Sequence, residues 1–244
     1  MTGDNFEDLG KSIRRACSLG RAHLQYGSMD TQIEALRNKF NGLHGHLVVI
    51  SGPSAGAGKG KVIDEMLGFA DEKLWLSVST TTRQPRPGEV LHHKYRFMTK
   101  DEFEDLERQG EFLEANGLTE GARYGTPVEP MLEQMRRGVT VMTEIEVNGA
   151  EFVHKVLPDE VFLFIKPTHG SIDDDIAELR RRIEGRGTEN AASIERRLEQ
   201  AAHELDQARK LGFYTWVVNE TGKSMDAAHE VYNLIKIRAR SERV

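Results

Sequence analysis

The feature that most constrains this chain is the alternation of short apolar runs with helical stretches. Candidate strands at about 46–51, 75–79, 139–145, 160–166 and 214–219 are rich in Val, Ile, Leu and Phe. Runs of this kind suit strands buried on both faces, and the intervening helices supply the crossovers that a parallel sheet needs. The expected fold is α/β, a parallel sheet flanked by helices. The strongest runs, Leu47-Val48-Val49-Ile50 and Val161-Phe162-Leu163-Phe164-Ile165, are too short to span a bilayer. Residues 81–127 interrupt the alternation with a Pro85, Pro87, Gly88 turn cluster, a strand-like Lys94–Met98 and a helix opening at Asp101. They read as an inserted subdomain.

Charge narrows the partners. A net charge of −6 argues against general affinity for nucleic acid or anionic membranes, so any phosphate chemistry must be locally arranged. Cys17 is the single cysteine, which excludes an intrachain disulfide framework and a cysteine-rich metal site. With a polar, acidic start (Thr2, Asp4, Glu7, Asp8) in place of a secretory signal, a reducing, cytoplasmic setting is expected.

Residues 1–44 read as a helical extension with two apolar faces, Phe6, Leu9 and Ile13, then Ile33, Leu36 and Phe40. It carries no recognisable chemistry and leaves a homo-oligomer open. A helix over 193–211 is marked by Ile194, Leu198, Ala201, Leu205, Ala208 and Leu211 on one stripe, with Ser193 as its expected N-cap. The run Asp173-Asp174-Asp175 reads as a solvated helix start rather than a metal site, because consecutive helical residues do not share a face.

The chemistry concentrates in Ser51-Gly52-Pro53-Ser54-Ala55-Gly56-Ala57-Gly58-Lys59-Gly60-Lys61. An apolar strand runs into this glycine-rich loop, and the loop runs into a helix-like stretch over 62–69. That is the setting of a phosphate-binding loop: backbone N–H groups curl around phosphate oxygens, the helix N-terminus faces them, and Lys59 reaches the β- and γ-phosphates. Two departures stand out. Five residues separate Gly52 from Gly58 where four are usual, and Gly60 then Lys61 follow Lys59 where a Mg²⁺-ligating hydroxyl is expected.

With this loop and the segment Ser77-Val78-Ser79-Thr80-Thr81-Thr82-Arg83-Gln84-Pro85-Arg86-Pro87-Gly88-Glu89, the chain resembles the guanylate kinases over roughly residues 45–240. Further matches lie in "YGT" (124–126), "EIEVNGA" (144–150), "RRIEGRGTE" (181–189), "SIERRL" (193–198) and "VVNE" (217–220). The resemblance implies a P-loop NTPase-type core (45–80 and 128–240), a GMP-binding subdomain at about 81–127 and a helical lid at about 180–197. It implies transfer of the ATP γ-phosphoryl group to GMP, giving ADP and GDP, with Mg²⁺.

The residue roles implied are these. ATP would lie on Gly52, Pro53, Ser54, Ala55, Gly56, Ala57, Gly58, Lys59, Gly60 and Lys61, with Asn219 lining the adenine pocket. Arg182, Arg186 and Arg197 match lid arginines that, with Lys59, neutralise the transferring phosphoryl group. Arg83, Arg86, Tyr95 and Tyr124 would grip the GMP phosphate, for which the planar fork of Arg is well shaped. Glu114 would read guanine, with Ser79 and Thr126 as hydroxyl contacts. Glu144 would contact GMP and Glu146 would help hold Mg²⁺ through water, the two alternating along one strand so as to face the same side. Two other readings stay open here: a guanylate-kinase-like binding module, and a kinase for another phosphorylated small molecule.

Overall fold

The computed structural model describes residues 28–54, 56–70, 73–85, 95–119, 121–187 and 189–241. The first of the two expected N-terminal helical faces lies outside these residues, as do Cys17, Ala55, Arg86, Pro87, Gly88 and Lys94. The described residues form two compact units, one taking in 28–45, Trp75–Thr143 and Phe152–Pro158, the other His46–Leu74, Glu144–Glu151 and 159–241.

In the first unit, helix α1 (Met29–Phe40) starts at the N-cap Ser28 and buries Leu36 and Phe40. Arg37 donates to the Val156 and Lys155 carbonyls at 3.1 and 2.8 Å. A four-stranded sheet follows, built from β3 (Ser79–Thr81), β4 (Tyr95–Phe97), β5 (Phe112–Thr119) and β6 (Ala122–Pro127) in the order β4-β3-β6-β5. The expected strand at 75–79 is in fact two: β2 (Leu74–Leu76), then β3. The break falls at Ser77, whose N–H donates to the Met142 carbonyl at 2.8 Å and whose hydroxyl donates to Thr143 at 2.9 Å. Helix α3 (Lys100–Arg108) begins with a capping box between Thr99 and Glu102, one residue before the expected Asp101. Its Phe103 stacks on Phe112 of β5 at 4.6 Å, which gives this sheet its own core with Leu106. Helix α4 (Val128–Arg136) and strand β7 (Thr140–Glu144) as far as Thr143 also belong to this unit.

In the second unit, β1 (Leu47–Ser51), β8 (Val161–Lys166) and β9 (Thr215–Val218) lie side by side and parallel, with Val48 opposite Val161 and Leu163 opposite Thr215. Every residue of β1 is buried, as a near-continuous apolar run requires. Helix α2 begins at Lys59, three residues before the expected helical stretch, and runs to Phe69. It packs on α8 (Ser224–Ser241), where Phe69 stacks on His229 at 4.2 Å and meets Tyr232 edge-on at 5.6 Å. Helices α6 (Ile172–Glu184) and α7 (Ala191–Leu211) share a core of Leu179, Ile183, Ile194, Leu198 and Ala201.

Two further helix starts differ from expectation. The N-cap of α7 is Asn190, not Ser193: the Asn190 side chain accepts the Ser193 N–H at 2.9 Å, and the Ser193 hydroxyl turns back to Glu189. The aspartate run at α6 is only partly solvated. Asp174 closes a capping box with Ser171, whose hydroxyl and N–H hold its carboxyl below the usual range. Asp175, by contrast, is fully buried. One of its oxygens accepts from the Thr168 N–H and hydroxyl at 3.0 and 2.7 Å, and the other lies 2.9 Å from the Lys166 ammonium. These contacts fold residues 168–175 onto the end of β8 and fix where α6 starts.

Candidate active site

The second unit carries the phosphate loop. Strand β1 delivers the chain at Gly52, where a Cβ would come within 2.4 Å of the Ile165 carbonyl, so only glycine lets the loop leave so close to β8. The loop ends at Gly58, the N-cap of α2, in the left-handed region at φ 78°. A Cβ there would meet the Asn219 amide nitrogen at 2.5 Å. Asn219, buried beyond the end of β9, donates through that nitrogen to the Ala57 carbonyl at 2.8 Å, while its backbone N–H donates to Lys166 at 2.8 Å. This residue thus supports the loop from behind.

Lys59 donates to the Gly52 and Pro53 carbonyls at 2.9 and 3.0 Å and lies 3.8 Å from Glu144. Its ammonium is therefore held inside the loop's own curl. Gly60 and Lys61 form the first turn of α2, and Lys61 turns along the helix to Glu65 at 3.7 Å.

Arg182 of α6 reaches across to the same loop, donating to the Gly56 carbonyl at 3.3 Å and to the Asn219 carbonyl at 2.7 Å. Glu178, one turn earlier, fixes it through a 2.8 Å bond. Glu178 itself is held at about 2, chiefly by Arg181, with Thr221 and Arg182 adding to the effect. Arg197 of α7 pairs with Glu189 and donates to the Ser54 carbonyl at 3.2 Å. Arg186 is exposed beyond the end of α6. Two of the three expected arginines thus sit on the loop, and the third projects from the α6–α7 connection.

Glu144 and Glu146 do not alternate along one strand. Strand β7 ends at Glu144, which is exposed, and Glu146 lies beyond it, half-buried. The cause is the turn of the backbone: the Ile145 N–H donates to Ile50, and the Glu146 carbonyl already accepts Ala150 in the first turn of α5 (Val147–Val156). Burial raises the Glu146 carboxyl above its usual range, the nearby Glu204 charge raises it further, and Lys59 opposes both. Among the described residues, no group of three or more His, Cys, Asp or Glu side chains is placed to hold a metal ion.

Glu204 is a site residue that the sequence reading missed. It is buried at 7% exposure and accepts from the Ser54 N–H at 2.8 Å and the Ser54 hydroxyl at 2.5 Å. The available signal was an acid among apolar residues: Glu204 stands three after Ala201 and four before Ala208, on the buried stripe of α7.

The first unit carries its own set of candidate residues, on one face of its sheet. Glu114 on β5 pairs with Thr126 on β6, and the Thr126 hydroxyl donates to the Glu114 carboxylate at 2.7 Å. Both are buried. The register puts Asn116 and Thr81 on either side of Tyr124, and Tyr95 beside Ser79 on β4. Tyr95 and Tyr124 meet edge-on at 5.8 Å. The Arg83 guanidinium lies over Tyr95 and Phe97 at 5.6 and 5.4 Å. Its backbone N–H donates to the Thr81 hydroxyl at 3.1 Å, which ties this arginine to the sheet. The unit therefore brings together a buried carboxylate with a hydroxyl partner, two tyrosines and an arginine.

A glycine loop between a parallel strand and a helix, an invading lysine, and arginines from a helical pair define a P-loop kinase of small phosphorylated substrates. The guanylate kinase family model matches residues 44–236. A guanylate kinase of Clostridioides difficile is 39% identical over 191 residues, covering 78% of this chain and 87% of its own length. One from Nostoc is 40% identical over 193 residues, covering 79% and 92%. The crystal structure of guanylate kinase from Anaplasma phagocytophilum superposes with a TM-score of 0.61 at 27% identity, covering 81% of this chain and 87% of that one. The chain belongs to the guanylate kinase family, ATP-dependent nucleoside monophosphate kinases that phosphorylate GMP to GDP.

Proposed function

We propose that the chain phosphorylates GMP from ATP with the following division of labour. The loop 52–61 and Asn219 receive ATP, and residues 81–127 together with Ser79 form the GMP-binding subdomain. Glu114 accepts from the guanine ring N–H and exocyclic amine. Adenine presents an acceptor at that ring position and would leave a buried carboxylate poorly paired, which is a strong basis for rejection. Arg83, Tyr95 and Tyr124, with Arg86 from outside the described residues, hold the GMP phosphate. The observation that carries this reading is the buried Glu114–Thr126 pair on the same sheet face as the two tyrosines.

The attacking GMP phosphate oxygen is anionic near neutral pH, so transfer needs no strong general base. It needs alignment and charge neutralisation. Lys59 is already aimed into the loop, and exchanging the Gly52 and Pro53 carbonyls for phosphate oxygens would leave its position largely unchanged. Arg182 and Arg197 are anchored at the loop's rim, and Arg186 is supplied from the lid at about 180–197. Glu144 lies beside Lys59 and would contact GMP.

The residues fit Mg²⁺ in a limited way. Glu146 is a half-buried carboxylate whose negative charge is disfavoured where it stands, so a cation nearby stabilises it. Mg²⁺ commonly takes only one or two carboxylates, keeping water and substrate phosphates as its other ligands. Glu146 would hold it through water, with no hydroxyl from Gly60. When bound, the ion would supply positive charge to offset that of the phosphates.

The test is ADP release with ATP, Mg²⁺ and GMP, AMP, CMP or UMP in turn, with Lys59→Ala as control. GMP-dependent turnover that is lost in Lys59→Ala is expected. Turnover that does not depend on GMP, or that survives Lys59→Ala, would overturn the reading.

A further inference from the structure

The loop carries one residue more than the usual spacing, which raises the question of what becomes of its extra backbone donor. Each non-proline residue brings one N–H that must find an acceptor. Of the five residues between Gly52 and Gly58, Pro53 has no N–H, so the first donor in the loop belongs to Ser54. That donor is already taken: it points at the Glu204 carboxylate, 2.8 Å away. A phosphate oxygen and a carboxylate oxygen are the same kind of acceptor, so the Ser54 N–H cannot serve ATP while Glu204 holds it.

Ser54 is fixed at every polar group, and always from one helix. Its N–H and hydroxyl go to Glu204, its carbonyl accepts from Arg197 at 3.2 Å, and its hydroxyl also accepts from Gln200 at 3.4 Å. Positions 197, 200 and 204 are three, four and seven apart, which places them on one face of α7. Gln200 further donates to Glu204 at 3.0 Å and so fixes the carboxylate itself. The buried face of α7 thus carries a built receptor for a single loop residue.

We propose that Glu204 is a positioning residue for ATP: it removes the Ser54 N–H from the phosphate site and pins the first limb of the lengthened loop. The extra residue then adds one donor and Glu204 withdraws one. Because Arg197 and Glu204 share a face of α7, any movement of this helix carries the loop's first limb with it. The proposal rests on the assignment of the loop to ATP.

The test is a KM split on the full chain. Glu204→Ala should raise KM for ATP about tenfold or more, the loss of a charge-assisted bond plus a released loop limb, while KM for GMP stays within about twofold. Glu204→Gln, which keeps an acceptor for the Ser54 N–H, should recover a large part of the ATP effect. Leu205→Ala, buried on the same helix and carrying no polar group for Ser54, should lower Tm while leaving the ratio of the two KM values near wild type. An unchanged ratio in both Glu204 variants, a shift no larger than that of Leu205→Ala, or a lowered KM for ATP would each overturn the proposal. If Glu204→Ala fails to fold, Glu204→Leu, which keeps the bulk but has no acceptor, decides: a rise in KM for ATP without one for GMP supports the proposal, and an unchanged ratio overturns it. Lys59→Ala, run alongside, separates the two levels. Retained turnover there would refute the loop assignment, whereas lost turnover with a flat Glu204 ratio would refute only the positioning role.

Discussion

Replacing Glu114 by Gln tests base recognition with little change in shape. Glu114 is 6% exposed, so its hydrogen bonds to a ligand are poorly screened by solvent. The Thr126 hydroxyl occupies one carboxylate oxygen at 2.7 Å. An amide can keep that bond through its oxygen, which turns its NH₂ group toward the base. Guanine would then present donors to a donor. Losing two hydrogen bonds to a charged acceptor, each about 1.5–3 kcal/mol, amounts to about 3–6 kcal/mol. In rate terms that is a fall of about 10²- to 10⁴-fold in kcat/KM for GMP. Adenine, with an acceptor at the ring nitrogen, should lose little or gain, so the GMP-to-AMP preference collapses by at least the same factor. ADP-release kinetics with both nucleotides measure this directly. A ratio within about threefold of wild type would show that Glu114 does not read the base and that selectivity resides elsewhere on the sheet.

Three further outcomes follow from single contacts. Gly58→Ala forces a left-handed φ of 78° and a Cβ 2.5 Å from the Asn219 amide, so about 1–3 kcal/mol of strain should appear as a lower Tm with a raised KM for ATP. Asp175→Ala removes the partner of Lys166 and both acceptor contacts of Thr168 from a fully buried position. A loss of about 3–5 kcal/mol is expected in urea unfolding, and a loss below about 1 would contradict the buried-pair account. Glu178, held at about 2 against an ordinary 4.5, stabilises the folded state fully above about 4.5 and loses that contribution as pH falls toward 2. Unfolding free energy measured across this window should fall less steeply in Glu178→Gln than in wild type.

The strands were legible because burial on both faces leaves an apolar run that few other structures produce. The loop was legible because its glycines are needed individually, Gly52 by the approach to Ile165 and Gly58 by its backbone angle. What escaped the sequence was set by tertiary pairing. Nothing local marks Ser77 as a break, since its partners are Met142 and Thr143, more than sixty residues away. The Asp173–Asp175 run has the composition of a solvated helix start, and only the fold of residues 168–175 back onto the end of β8 buries its last member against Lys166 and Thr168. Glu146 was misplaced because strand alternation was extended past the point where the backbone turns into α5. Glu204 carries no motif of its own, and only the apolar period of α7 running through its position marks it as buried.

The same distinction decides the role of Lys61, which stands where a hydroxyl would serve Mg²⁺. Compensation by its charge would require the ammonium to turn toward the phosphates. Its side chain is instead 67% exposed and lies 3.7 Å from Glu65, one turn farther along α2. Glu65 is itself held in place by the Ser224 hydroxyl at 2.9 Å, so it is a fixed partner. An exposed pair of this kind contributes about 0–1 kcal/mol and is screened by salt, and the backbone N–H of residue 61 survives any substitution. Lys61→Ala should therefore raise KM for ATP by no more than about fivefold, against loss of turnover in Lys59→Ala. A penalty above about twentyfold would mean that Lys61 leaves Glu65 when ATP binds and acts as a second phosphate lysine. In that case Lys61→Ala combined with Glu65→Gln should behave like Lys61→Ala alone, because the partner would matter only in the ATP-free enzyme.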